Sequence, residues 1–508
     1  DTFIIKRFHA SMAVKKTRGE VALIALGGYG RQELYPYSDV DMLLLHDRKA
    51  KKDMQAVAES VLYPLWDAGF EVGHSVRTVK DAVRFAKEDF IFQVALLDAR
   101  LLTGPESLYQ DLLKRYQKKI LYGQRRNFVR TMDEMCAERR QKYGSHAYHL
   151  EPHIKEGRGG MRDIQALLWT AKAVFGLSDL DALENEGMLT SADRYGFQES
   201  WNMLARIRNR LHYISGRHND RMYFELQEEM AAAFGYEDKQ GMLAVEHFMR
   251  EVYGHLQTVA VVTDLFFEQV HEISGLSDKD KGERELERDI SIRAKTLRLT
   301  ATESDLAARP VLLMRLFLQA VRRDMPLHHS TRRIITRNLY LADDRFRSSK
   351  RVAKTFLGLL TEENNPAPAL EIMLETGLLP AYIPEFATVE SLAQHDLYHI
   401  YTVDRHQIRT VAELHALRST EEELFVSLPA PQLLYLAALL HDIGKGQRTD
   451  HSVLGAELIS GVGQRMGLED RDCEVLAFLV RHHLFLPCQK PYPRNHTRTR
   501  YPRSHREG

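Results

Sequence analysis

The sequence predicts an α+β protein that is mostly helical, and three observations carry that expectation. Short apolar runs of strand length, residues 21–26 and 42–45, sit close together near the N-terminus and flank a Gly-rich turn. From Glu106 onward the pattern becomes almost wholly amphipathic at helical spacing, through 106–142, 160–175, 196–215 and 241–272. A further helical block follows, with Pro310 at a first helical position before Val311, Leu312, Leu316 and Phe317.

Taken in order, residues 52–66 carry Val57, Val61, Leu62 and Leu65 on one helical face, and residues 70–76 read as a third strand. Residues 1–105 are therefore expected to form a small α/β unit with its site at one end of a sheet. Residues 106–272 follow as a helical unit and 273–380 as a helical linker region. The polar stretch 274–287 within that region reads as a linker or a solvated helix. Residues 381–486 form a last helical unit. The tail, 487–508, is rich in Arg and Pro, with Glu507 as its one acid and no Leu, Ile, Val, Met or Phe to bury, so it reads as disordered or frame-shifted.

The chain has 508 residues, enough for about three or four domains. Lys plus Arg equals Asp plus Glu at 70 each, so no global field draws the protein to nucleic acid or to an anionic membrane. Neither partner is expected. Cys136, Cys473 and Cys488 are far apart, which argues against a disulfide framework or thiolate zinc and fits a reducing cytoplasm. No apolar stretch approaches the ~18 residues of a membrane span. The chain opens on Asp1 rather than Met, which suggests that the natural beginning is missing.

Chemistry concentrates first in residues 27–41, GGYGRQELYPYSDVD. Successive strand side chains alternate between faces, so Asp39 and Asp41 share one face while Val40 turns away. Adjacent carboxylates repel unless cations lie between them, and Mg²⁺ with triphosphate oxygens meets that need. Gly27, Gly28 and Gly30 clear space for a sharp turn whose N–H groups approach phosphate, and Ser38 stands just before the first Asp. A lone Gly-Gly-x-Gly is most often only a tight turn, and Asp-x-Asp alone a solvated edge. Their combination between two strand-like runs favours a nucleotidyltransferase site.

A second constellation comprises His406, the pair His441-Asp442, His451 and the pair His482-His483. Imidazole and carboxylate are the ligands of a hydrolytic metal centre. The pair ends an apolar helix and is followed by Ile443-Gly444-Lys445-Gly446, a turn that admits phosphate and offers Lys445 to bind it. With 23 histidines in the chain, any single one is more often a surface or capping residue; the joint pattern is what favours metal.

These two sites, in this order, resemble those of the bacterial protein-PII uridylyltransferase/uridylyl-removing family. The similar strings are GGYGRQELYPYSDVDMLLL, GHSVRT, LEPHIKEGRGGMRDIQALLW at 150–169, LHYISGRHNDRMYFELQ at 211–227, IPEF at 383–386, QHDLYHIYTVDRH at 394–406 and HDIGKG at 441–446. The resemblance implies a polymerase-β-like nucleotidyltransferase domain, helical linker domains and an all-α HD-type phosphohydrolase domain. It also implies two C-terminal ACT domains that sense glutamine, and these are expected to be missing here, so glutamine is a partner only if the full-length protein carries them. The implied reaction moves UMP from UTP to a tyrosine of the PII nitrogen-signalling protein, and the HD domain removes it.

Carried over by residue, Gly27 and Gly28 shape the triphosphate turn, with Gly30, Arg31, Ser38, Lys155 and Arg162 as further nucleotide contacts. Asp39 and Asp41 bind Mg²⁺, with Glu71 as the expected third carboxylate and Asp98 as its alternative. His406, His441 and Asp442 hold Mn²⁺ or another divalent metal, with His482 and His483 as further ligands. Arg158 and His153 stand where the family commonly has Pro and Asn, and a tuning effect is expected. Family pattern stops after about Leu486, so a fragment or frameshift with an incomplete HD domain and weak UMP removal is expected. The rival readings are a tRNA-directed nucleotidyltransferase with an HD domain and a non-catalytic truncated product.

Overall fold

The computed structural model describes residues 1–15, 19–144, 148–239, 241–276, 282–393, 401–447 and 450–485. The Arg/Pro-rich tail and Cys488 lie outside the described residues.

The N-terminal unit runs α1 (Thr2–Lys15), β1 (Val21–Ala25), α2 (Gly27–Gly30), β2 (Val40–His46), α3 (Met54–Asp67), β3 (Val72–Thr78), α4 (Val79–Glu88), α5 (Phe90–Leu97) and β4 (Arg100–Thr103). The sheet order is β3-β2-β1-β4, with β2 and β3 parallel and the other pairs antiparallel. Parity assigns the two faces. Leu23, Ala25, Met42 and Leu44 pack under α1 and α3, against Val57, Val61 and Leu65. Ala22, Ile24, Leu43 and Leu45 face the other way and join the core of the helical unit. One continuous core therefore crosses residue 105.

The helical unit comprises α6 (Glu106–Tyr116), α7 (Arg125–Tyr143), α8 (Met161–Thr170), α9 (Leu180–Asn185), α10 (Ser191–Ser215), α11 (Phe224–Ala233) and α12 (Ala244–Ser274). On α12, Val245, Phe248, Val252, Leu256, Val259, Val262 and Phe266 recur every three or four residues and are buried. Each such side chain contributes about 1.5–3 kcal/mol on burial. The stripe holds the longest helix against α8, α10 and α11.

Residues 284–287, from the stretch expected as a linker or solvated helix, and 290–299, from the expected helical linker region, form a sheet instead. β5 (Arg284–Glu287), β6 (Ile290–Arg293) and β7 (Thr296–Leu299) form an antiparallel three-stranded meander. Ile290, Leu297 and Leu299 are buried in the core of the second half. The turns place Asp289, Ala294 and Lys295 at positive φ without any Gly, so the usual hairpin signal is missing from the sequence.

The rest is helical: α13 (Glu303–Ala308), α14 (Val311–Arg323), α15 (His329–Arg337), α16 (Asp344–Arg347), α17 (Lys350–Leu360), α18 (Ala367–Glu375), α19 (Leu378–Tyr382), α20 (Val403–Thr420), α21 (Glu422–Ser427), α22 (Pro431–Leu440), α23 (His451–Arg465) and α24 (Asp470–Arg481). Among the described residues no helix is long and apolar enough to cross a membrane.

Candidate functional site

Asp41 sits on β2 opposite Gly73 of β3, and Leu26 N–H donates to its carbonyl across 2.9 Å. Its carboxylate fills the space that side chains at two glycines would occupy. A Cβ on Gly73 would stand 2.2 Å from Asp41 Oδ1, and one on Gly27 3.2 Å from Oδ2. Gly27 also adopts φ +51°, a conformation that favours glycine. Burial raises the Asp41 carboxyl above its ordinary range, the charge of Asp39 raises it further, and Lys155 opposes both. The two acids and Lys155 thus share one electrostatic neighbourhood, although Lys155 is 114 positions along the chain from Asp41.

Other expected contacts are placed differently. Gly30 is buried, and a Cβ there would lie 2.1 Å from the Asp98 carbonyl oxygen, so close packing requires glycine at this position. Arg31 pairs with Glu33 at 2.7 Å and with Asp98 at 2.5 Å. Asp98, the alternative third carboxylate, also accepts from Trp169 Nε1 at 2.9 Å. Glu71 stands just before β3 and its carbonyl accepts the Val40 N–H at 2.9 Å. Parity gives it the face of Gly73, yet among the described residues it does not converge with Asp39 and Asp41 into a three-ligand group. Ser38 N–H closes a turn onto the Tyr35 carbonyl at 3.1 Å.

The segment before α8 brings the helical unit to this site. Ile154 N–H donates to the Asp220 carbonyl at 2.8 Å, which fixes the turn carrying Lys155. Burial lowers the Lys155 ammonium, and the charges of Arg162 and Arg208 lower it further. Arg162 donates to Glu156 at 3.1 Å and Gln165 at 2.6 Å. Asp163 is fully buried and binds Arg139 and the Gly159 N–H, so it holds the turn together rather than lining a cleft. Arg158 pairs with Asp264 at 2.6 Å, and His153 Nδ1 accepts the Glu156 N–H at 3.1 Å.

The second cluster centres on Asp442, at the end of α22. Its Oδ2 lies 3.2 Å from His441 Nε2, 3.8 Å from His406 Nε2 and 2.9 Å from Lys445 Nζ. Its Oδ1 faces His483 Nε2 at 3.5 Å and His451 Nε2 at 3.9 Å. His441 Nδ1 meets the Ala438 carbonyl at 2.9 Å and His483 Nδ1 the Val480 carbonyl at 2.6 Å. Those bonds fix the tautomers and leave both Nε2 lone pairs turned inward. Burial works to raise the Asp442 carboxyl, but its contacts with His441 and His483 and the charge of Lys445 hold it below the ordinary range.

His451 comes in because Gly444 permits close approach; a Cβ there would stand 2.4 Å from the His451 carbonyl oxygen. His482, by contrast, is exposed and stacks on Phe478 at 4.7 Å, outside the cluster. Nε2 of His451 and of His483 are buried without hydrogen-bond partners. Inward lone pairs around one ionised carboxylate fit a divalent cation. The donors form two triads sharing Asp442: His406 with His441, and His451 with His483.

Residues 127–267 match the GlnD PII-uridylyltransferase family model, 291–382 the uridylyltransferase GlnD third-domain model and 395–501 the HD domain model. The chain belongs to the GlnD uridylyltransferase family. Curated members named bifunctional uridylyltransferase/uridylyl-removing enzyme are similar along most of it. Those of Ruegeria pomeroyi, Cereibacter sphaeroides and Azospirillum brasilense are 37%, 36% and 35% identical over 486, 482 and 484 residues. Each alignment covers 92% of this chain and 53%, 51% and 52% of the relative. The chain thus spans about half the length of the curated family members it matches. Within the family frame, the Asp442 cluster falls inside the HD match and Lys155 inside the GlnD match.

Proposed function

We propose that the Asp39/Asp41 site transfers UMP from UTP to a tyrosine of a PII signalling protein, and that the Asp442 cluster hydrolyses the resulting phosphodiester. The observation that carries the first half is the convergence of Asp39, Asp41 and Lys155 beside the Gly27 turn. A tyrosine hydroxyl attacks the α-phosphorus in line, the O–P bond to pyrophosphate breaks, and the phenolic proton leaves to solvent or a nearby base. Mg²⁺ held by Asp39 and Asp41 would neutralise charge on the attacking and departing oxygens. Lys155 places a cation beside the same phosphates, and Gly28 leaves its N–H side uncovered by a side chain.

At the second site, His406, His441, Asp442, His451 and His483 would hold the divalent metal, which lowers the pKa of bound water when present. Lys445 sits against Asp442, where it meets an incoming phosphate oxygen. A cytoplasmic setting suits a UTP-dependent enzyme whose Cys136 and Cys473 are free and buried.

The test is labelled UTP with purified PII protein. Asp39→Ala/Asp41→Ala should abolish labelling while the far-ultraviolet spectrum is unchanged; retained labelling would refute the assignment. For the hydrolytic site, Asp442→Ala should remove the Mn²⁺ bound at this cluster and so lower the stoichiometry of the full chain, and unchanged stoichiometry would move that metal elsewhere.

A further inference from the structure

The turn between the Gly-rich helix and Asp39 is held from outside its own domain. His212, on α10, has no exposed surface. Its Nδ1 lies 2.5 Å from the Pro36 carbonyl oxygen and its Nε2 2.8 Å from Asp220 Oδ1. Both oxygens are acceptors, so the ring bridges the Pro36 carbonyl and Asp220 through its N–H edge. Asp220 is bound in turn by Arg208, Nε to Oδ1 at 2.6 Å and Nη2 to Oδ2 at 3.3 Å, and by His218 Nε2 at 3.0 Å. Arg208 stacks over the Tyr35 ring at 4.1 Å, gripping the same turn one residue earlier. The Asp220 backbone carbonyl binds Ile154, next to Lys155. Asp220 therefore links both approaches to the site, its carboxylate through His212 and Arg208 to the turn that ends in Asp39 and its backbone carbonyl to the segment that carries Lys155.

We propose that Asp220, acting through His212 and Arg208, is a positioning centre that sets the distance between the Asp39/Asp41 pair and Lys155, and so sets the affinity for the metal–triphosphate. This rests on the transferase reading of that site. The three residues are positioning residues, since none touches the reacting atoms. The turn needs such an anchor because Gln32 and Tyr37 adopt φ of 63° and 59°, a region costly for side-chain-bearing residues, which persists only where surrounding contacts enforce it. A buried ion pair serving only stability would affect melting and leave ligand affinity alone.

The experiment uses the full chain and Mn²⁺·UTP, with binding read by calorimetry and amide exchange followed across residues 37–41. His212→Asn, which keeps one donor, should weaken Mn²⁺·UTP binding about tenfold or more, speed exchange at 37–41, and leave Mn²⁺ binding at the Asp442 cluster unchanged. Affinity within about twofold of wild type with unchanged exchange in His212→Asn overturns the proposal. If that variant does not fold, Arg208→Lys gives the same readout: a rise of about threefold in Kd supports it and no rise overturns it. Wild-type chain that binds no Mn²⁺·UTP would sink the transferase reading, whereas exchange at 37–41 still decides the clamp.

Discussion

Gly73 is the residue at which the geometry of the transfer site is most exposed to challenge. Its missing side chain is the space that Asp41 occupies, so Gly73→Ala should push the carboxylate aside while β3 keeps its ladder to β2. Transfer, read as kcat/KM for UTP, should fall at least about tenfold, equivalent to about 1.4 kcal/mol of lost transition-state stabilisation. An unchanged kcat/KM would show that Asp41 does not need its present orientation. At this scale the sequence was legible where chemistry is local. Alternation alone put Asp39 and Asp41 on one face, and HDIGKG singled out His441 and Asp442, which the fold groups with His406, His451 and His483. It was illegible where a partner is remote. Arg31 and Gly30 stand among the turn residues, yet what each meets is Asp98, 67 and 68 positions away. His482 and His483 are neighbours in the chain, and only the end of α24 decides which of them turns inward.

Among elements, the strong periodic helices follow the apolar pattern closely, as α12 does with its repeating buried stripe. The meander β5–β7 does not, because its turns use Asp, Ala and Lys in left-handed conformations where Gly or Asn would have signalled a hairpin. The helices also explain how distant ligands meet. α20 brings His406 to the end of α22, where His441 and Asp442 stand, while α23 and α24 supply His451 and His483 at their ends. Arg405, the neighbour of His406, is buried and bonds Glu371 and the Tyr148 hydroxyl, which anchors α20 to α18 and to the segment before α8.

Across the whole molecule, the two halves meet where α12 reaches the start of α15. Glu272 binds His328 at 3.0 Å, His329 at 3.1 Å and Arg298 at 2.9 Å. Burial, with the charges of His329 and Arg298, lowers His328 to about 4. Glu272 is lowered to about 2, since bonds from His329, Arg298 and His328 outweigh its burial, so it stays ionised through the same range. Between pH ~6.5, the ordinary histidine value, and about 4, the unfolded chain binds a proton at His328 that the folded chain refuses. Stability should therefore fall as pH drops through that window. His328→Gln should flatten this slope, read as the urea midpoint between pH 7 and 4.5; a parallel slope in the variant would place the titration elsewhere. The sequence foretold the mostly helical α+β class, but the continuous core across residue 105 depends on which sheet face the later helices cover, and no local pattern records that choice.

The account depends above all on a divalent cation seated between Asp39 and Asp41 beneath the Gly27 turn. Crystals of the full chain grown with Mn²⁺ and a non-hydrolysable UTP analogue, read by anomalous scattering, test this directly. The predicted result is a manganese peak within ligand distance of an oxygen from each carboxylate, with the triphosphate reaching towards Lys155. Manganese confined to the Asp442 cluster, with the analogue bound away from β2, would contradict it.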